Sequence, residues 1–284
     1  MPKTAKDGSK AGAAARMDWN RIADWATLAG WGFGLAGIAV ALGVWVPKLV
    51  ERVGNEPLRA PVRVRFADEP AWLPRQDRLA LERDVVKCLS GGPFDQAGLA
   101  KAMDAARASG WFETVTQVRR TDTDLVVVEG AWAAPFALVC DASGEHLVDT
   151  KGRLLPRSYA AGQGPKLLRI QGVTQPCPTA FGATWPGAEV GAAMQMAALI
   201  QARPWKSQVA AIDLTGYARE GIVRLRTDTG CEIVWGRAPG TETASEVPAV
   251  QKLAVLQYAF DHAGRIDAGA AHAIDLRGDF TVAR

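Results

Sequence analysis

Residues 110–129 read GWFETVTQVRRTDTDLVVVE, and the fold turns on how this stretch pairs with itself. Residues 115–120 alternate apolar and polar side chains, the period of a half-buried strand. Residues 121–124, TDTD, carry the short polar side chains that favour a turn. Residues 125–129 are a near-continuous β-branched run, the composition of a central strand. Two antiparallel strands are therefore expected.

Working back toward the N-terminus, Gly110 closes a helical pattern over 96–109 whose apolar positions include Leu99, Ala102, Met103 and Ala106. Asp95 stands where an N-cap belongs. The breaker Ser90-Gly91-Gly92-Pro93 separates it from a second helical stripe over 76–89, carried by Leu79, Leu81, Val85, Val86 and Leu89. Before that, Val62, Val64 and Phe66 alternate with Arg63 and Arg65 as another strand. The order is β-α-α-β-β over 61–130, with two helices on one face of a small sheet. A module of about 70 residues can just support such a core.

Working forward, 131–284 reads as a mixed α/β domain with a large antiparallel sheet, so the fold class is α+β. Strands are expected over 138–140, 167–173, 209–214, 222–226 and 231–236, with a hairpin around 146–155 and a turn at Asp228-Thr229-Gly230. Residues 188–202 form a helix with Met194, Met196, Leu199 and Ile200 available for burial. Residues 247–260 form another, with Val250, Leu253, Leu256 and Ala259 on one face. Residues 273–277 and 280–282 finish the chain as strands.

Residues 25–46, WATLAGWGFGLAGIAVALGVWV, carry no charge. A run of about 20 apolar residues is what a helix needs to cross a bilayer. Trp25, Trp31 and Trp45 punctuate it, and indole rings favour the headgroup layer near a span's ends. An uncleaved transmembrane helix is expected. A cleaved signal peptide is the rival reading, since Ala39-Val40-Ala41 fits a small-x-small site, but the apolar run continues past it. Gly32-Phe33-Gly34-Leu35-Ala36-Gly37 matches a dinucleotide fingerprint but lacks the flanking strand and amphipathic helix. Residues 1–24 read as a disordered tail and 47–60 as a linker. Basic residues are balanced on the two sides of the span, so charge does not orient it. A short cytoplasmic tail with the bulk of the chain exported is the simpler arrangement.

The local wording resembles the FtsQ/DivIB cell-division family. The carriers are the 110–129 stretch, Ala134-Pro135-Phe136-Ala137, the hairpin 146–155, Lys252 near a helix start, and Ile274-Asp275-Leu276-Arg277. Two departures stand out: the turn 121–124 has no proline, and Gly278 stands where an aromatic residue often follows the arginine. The β-α-α-β-β order resembles the POTRA module, a small docking domain. The resemblance implies a single-pass inner-membrane protein at the division septum, its bulk periplasmic. It implies recruitment of FtsB/FtsL-like coiled-coil membrane proteins by strand addition, with Ile274, Asp275, Leu276, Arg277, Phe280 and Val282 as the partner-binding residues.

Composition bounds the alternatives. Apolar content of 48% suffices for a core, and a net charge of +3 is too small to argue for nucleic acid. Cys88, Cys140, Cys177 and Cys231 show no C-x-x-C or Cys/His cluster, so no metal site is expected. Cys140 and Cys177 could pair in an oxidising compartment, though sequence cannot fix connectivity. His146 reads as an exposed hairpin residue, and Asp141 and Glu145 as solvated turn residues. No G-x-S-x-G elbow occurs, and Asp275 has no second carboxylate placed beside it for acid/base work. No catalytic residue, cofactor or small-molecule substrate is therefore expected. The alternatives are a membrane-anchored POTRA protein for envelope assembly or polypeptide translocation, and an anchored periplasmic hydrolase.

Overall fold

The structure, a computed structural model, describes residues 40–49, 62–89, 95–269 and 273–278. Residues 40–49 form a helix, α1, whose side chains are exposed, Trp45 among them. The helix passes the expected boundary at Val46 and includes Pro47 and Lys48. Trp25 and Trp31 lie outside the described residues. Among the described residues no helix is long and apolar enough to cross a membrane.

The first module has the expected order: β1 (Arg63–Phe66), α2 (Arg75–Cys88), α3 (Gln96–Ala108), β2 (Phe112–Arg120) and β3 (Leu125–Trp132). β3 is central, parallel to β1 and antiparallel to β2. That position explains the apolar run, because Val126, Val127 and Val128 are buried there. The Asp95 carboxylate accepts from the Gly98 N–H at 2.7 Å, capping α3. Gly110 has φ +77°, and a Cβ there would sit 2.5 Å from the Phe181 Cβ. β2 starts three residues before the alternation suggested, because Phe112 stacks on Trp132 with ring centroids 4.2 Å apart. Leu81, Val85, Ala102, Ala106, Val126 and Val128 fill the core.

The second module has β4 (Ala137–Asp141), β5 (Gly144–Val148), β6 (Leu154–Tyr159), β7 (Leu168–Gln171), α4 (Ala188–Gln201), β8 (Val209–Asp213), the short α5 (Tyr217–Glu220), β9 (Val223–Thr227), β10 (Glu232–Gly236), α6 (Ala249–Ala263) and β11 (Ile274–Asp275). They form an eight-stranded sheet in the order β11-β10-β9-β8-β7-β4-β5-β6. The expected antiparallel sheet is corrected to a mixed one: β4–β7, β7–β8 and β10–β11 are parallel. The reason is connection length. A parallel partner needs a crossover of a dozen or more residues, and α4 and α6 supply two of them.

One face of this sheet buries Ile170, Ile212, Leu225, Ile233 and Trp235 with α4 and α6. Val250, expected on the apolar face of α6, is 78% exposed, and Leu253 and Leu256 carry the burial instead. On the opposite face Leu138, Leu147 and Leu155 form a smaller cluster. Ion pairs join the two modules: Arg157 to Asp77 at 2.6 Å, and Lys151 to Glu113.

Ile170 is fully buried on a central strand. Ile170→Ala should cost about 2–5 kcal/mol, since deletion of a buried branched side chain leaves a cavity. A shift in the urea unfolding midpoint at unchanged slope checks it.

Candidate functional site

Ile274, Asp275, Leu276 and Arg277, four of the expected partner-binding residues, lie at one rim of the large sheet. β11 is its outermost strand, and the Leu276 N–H donates to the Val234 carbonyl at 2.9 Å. In a parallel ladder alternate residues face opposite sides. Ile274 and Leu276 therefore turn their main-chain groups inward, and Asp275 turns its N–H and C=O outward. Among the described residues no strand pairs with that outer side. Side chains alternate too. Leu276 is fully buried in the main core and Ile274 packs against it, whereas Asp275 and Arg277 are exposed. The Leu276 side chain is thus a core element and not a surface contact. Phe280 and Val282 lie outside the described residues.

Asp275 and Arg277 clasp each other. The Asp275 carboxylate accepts from the Arg277 N–H at 2.9 Å and from its guanidinium at 2.6 Å. This turns the chain and ends β11 after two residues. The Arg277 hydrogen bond holds the Asp275 carboxyl below the usual carboxylate range.

Behind the rim sits a buried cation. Lys252, on α6, has no exposed surface. Its Nζ donates to the Trp235 carbonyl at 2.6 Å and to the Glu246 carboxylate at 2.5 Å, 5.2 Å from the Trp235 ring centroid. Glu246 Oε1 also accepts from the Arg237 N–H at 2.8 Å. Gly236 makes room for this carboxylate, because a Cβ there would lie 2.0 Å from Glu246 Oε1. One residue on, the Val247 N–H donates to the Arg277 carbonyl at 3.2 Å. The end of β10, the start of α6 and the end of β11 are thereby tied at one point. The sequence marked Lys252 only through the resemblance. Its burial carried no local signal, because a lysine between apolar helix positions usually reaches solvent.

The turn after α6 is fixed as well. Asp267 is buried and accepts from Arg265 Nε at 2.9 Å and from the Thr229 hydroxyl at 2.8 Å, while Arg265 also reaches Asp228 at 2.6 Å. The Arg265 guanidinium, followed by the Thr229 hydroxyl, holds the Asp267 carboxyl well below its ordinary value. The segment leading to β11 is anchored to the β9–β10 hairpin.

A second polar cluster corrects two expectations. His146 is buried, not exposed, and Glu145 is buried against Arg169 at 2.8 Å, not solvated. The cause is that β5 is covered on both faces along its whole length. His146 Nε2 meets Asp141 Oδ1 at 3.1 Å and the Ser143 hydroxyl at 2.9 Å, and Nδ1 meets the Ser158 hydroxyl at 2.9 Å. The Cys177 Sγ lies 3.6 Å from Nδ1. Cys140 pairs across the ladder with Glu145, and His146 with Val139. Cys140 and His146 therefore point to opposite faces, and Cys177, beside His146, cannot bond to Cys140 through the sheet. Both thiols are free. Among the described residues no group of three or more His, Cys, Asp or Glu is placed to hold a metal ion.

No family model matches the chain, and no curated protein matches it. Among solved structures it is similar to the major extracytoplasmic domain, trans isomer, of the bacterial cell division protein DivIB from Geobacillus stearothermophilus. The identity is 16% and the TM-score 0.26, over 38% of this chain and 81% of that one. At that TM-score the likeness assigns neither fold nor function.

Two measurements check the rim's supports. Lys252→Ala should cost about 3–5 kcal/mol in urea unfolding, because it strands the Glu246 carboxylate, and adding Glu246→Gln should recover part of the loss. Asp267, with its folded pKa depressed, contributes stability present above the unfolded value of about 3.9 and lost as pH falls through the folded value. The unfolding midpoint should accordingly fall more steeply in acid for the parent chain than for Asp267→Asn.

Proposed function

We propose that this chain is a membrane-anchored docking protein of the bacterial division machinery, of the FtsQ/DivIB kind, acting by binding alone. The observation that carries the reading is the outward-facing main chain of Asp275 on a rim fixed from behind by Lys252. An extended segment of a partner adds to this edge, main-chain hydrogen bonds supply attraction, and neighbouring side chains select. The order β-α-α-β-β of the first module and the sequence wording described above support the assignment to this kind of protein.

Magnitudes limit what the edge does by itself. Asp275 offers one donor and one acceptor, and each net hydrogen bond contributes about 0.5–1.5 kcal/mol. That is a factor of roughly 5–150 in affinity. An anchor at residues 25–46 would supply the rest, because tethering two single-span proteins to one membrane raises their effective concentration toward the millimolar range. The partners this reading implies are small FtsB/FtsL-like coiled-coil membrane proteins, met on the periplasmic side.

Proline at 275 removes the outward N–H and leaves the inward Leu276 bond available, whereas alanine keeps both. Asp275→Pro should weaken binding of FtsB/FtsL-like proteins, read as capture from membranes, about 2–10-fold, the loss of one hydrogen bond, and Asp275→Ala should retain it. A folded Asp275→Pro chain, by circular dichroism, that captures them undiminished would overturn the reading.

A further inference from the structure

Where the first module meets the second, a groove of about 460 Å³ opens on the surface. Trp72, Trp111 and Tyr159 line it together with Pro74, Pro135 and Pro165. Trp72 is 39% exposed and Trp111 is buried, and their ring centroids lie 6.2 Å apart with the planes tilted by 40°. The Arg157 guanidinium stands 5.4 Å over the Tyr159 ring and pairs with Asp77 at 2.6 Å. Through Pro74 and Arg157 the groove runs on to a second hollow, lined by Arg75 and the exposed Leu79.

We propose that this groove binds an extended proline-rich segment with acidic flanks, supplied by a partner protein. The site shares no residue with the β11 rim and does not rest on the division reading. The walls select the backbone. Three lining residues are prolines, which have no N–H to donate. A β-strand laid against them finds few main-chain donors and leaves carbonyls unpaired. A polyproline II segment makes no backbone hydrogen bonds of its own and keeps its carbonyls in water, so such walls cost it nothing. Its preset φ leaves little conformational freedom to lose on docking, and aromatic-lined grooves are the surfaces that take such segments. Charge selects the flanks. None of the described residues lining the groove or its continuation carries a carboxylate. Arg157 is already matched by Asp77. Arg75 and Lys166 are exposed and have no ion-pair partner among the described residues. Arg75 lies on the continuation, and Lys166 stands between the lining residues Pro165 and Leu167. Acidic side chains beside the proline core of the occupant complement these two cations.

The test uses the full-length chain in detergent. A fluorescein-labelled peptide of sequence DEPPLPPLED should bind it saturably, read by fluorescence anisotropy against detergent alone. The same peptide with alanine at every proline should bind about tenfold more weakly, and one with lysine at every acidic position about fivefold more weakly. Trp72 lies outside the buried core, so Trp72→Ala should fold and should weaken the acidic peptide about tenfold. Arg75→Glu combined with Lys166→Glu should reverse the preference between the acidic and the lysine-flanked peptide, a gain of binding that an unfolded chain does not show. Absence of saturable binding by the parent chain up to about 1 mM peptide, equal binding of the alanine peptide, no preference for acidic flanks, or undiminished binding by Trp72→Ala overturns the proposal.

Discussion

A buried ammonium group is expensive, and Lys252 shows how this chain makes one tolerable. Withdrawing such an ion from water costs several kcal/mol even after relaxation. The Glu246 carboxylate, the Trp235 carbonyl and the Trp235 ring together replace its hydration. The return is positional. Lys252 ties the start of α6 to the end of β10, and one residue past Glu246 the Val247 N–H reaches the Arg277 carbonyl just after β11. β11 has two residues and a single parallel neighbour. The last strand itself is held by the Leu276 N–H bond to the Val234 carbonyl and by the buried Leu276 side chain, and Lys252 fixes the helix start behind it.

The same constraint explains the division of labour along β11. Leu276 goes inward and packs under the sheet; Asp275 and Arg277 go outward and satisfy each other. The strand is anchored by its apolar residue and ended by its charged ones. An exposed edge that is short and charged resists indiscriminate pairing with other chains.

Much of this architecture was legible locally. Asp95 and Gly110 bound α3 because capping and left-handed turns depend on single residues. The β-branched run at 125–129 announced a central strand. What failed depended on distant neighbours. Hairpin turns are written in adjacent residues, whereas the parallel pairing of β4 with β7 is decided by where the β5–β6 excursion returns the chain, and that of β7 with β8 by where α4 delivers it. The polar residues Glu145 and His146 look like surface because their burial comes from layers contributed by other segments. At the candidate site, Asp275 and Arg277 were readable as a rim by resemblance, but Lys252 as its support and Leu276 as a core residue required the packing to be seen.

The sheet has two rims, and they differ in how their main-chain groups are satisfied. At the β6 rim the segment 182–184 is already docked: the Leu154 N–H donates to the Ala183 carbonyl at 2.9 Å, and the Gly182 N–H donates to the Leu154 carbonyl at 2.7 Å. Further along β6, Pro156 has no N–H to offer. That edge is occupied at its start and interrupted in its middle. At β11 the main chain of Asp275 faces outward from a strand supported by a rigid helix end. Among the described residues, then, the β11 edge carries an outward main chain with no strand against it, whereas the start of the β6 edge is occupied.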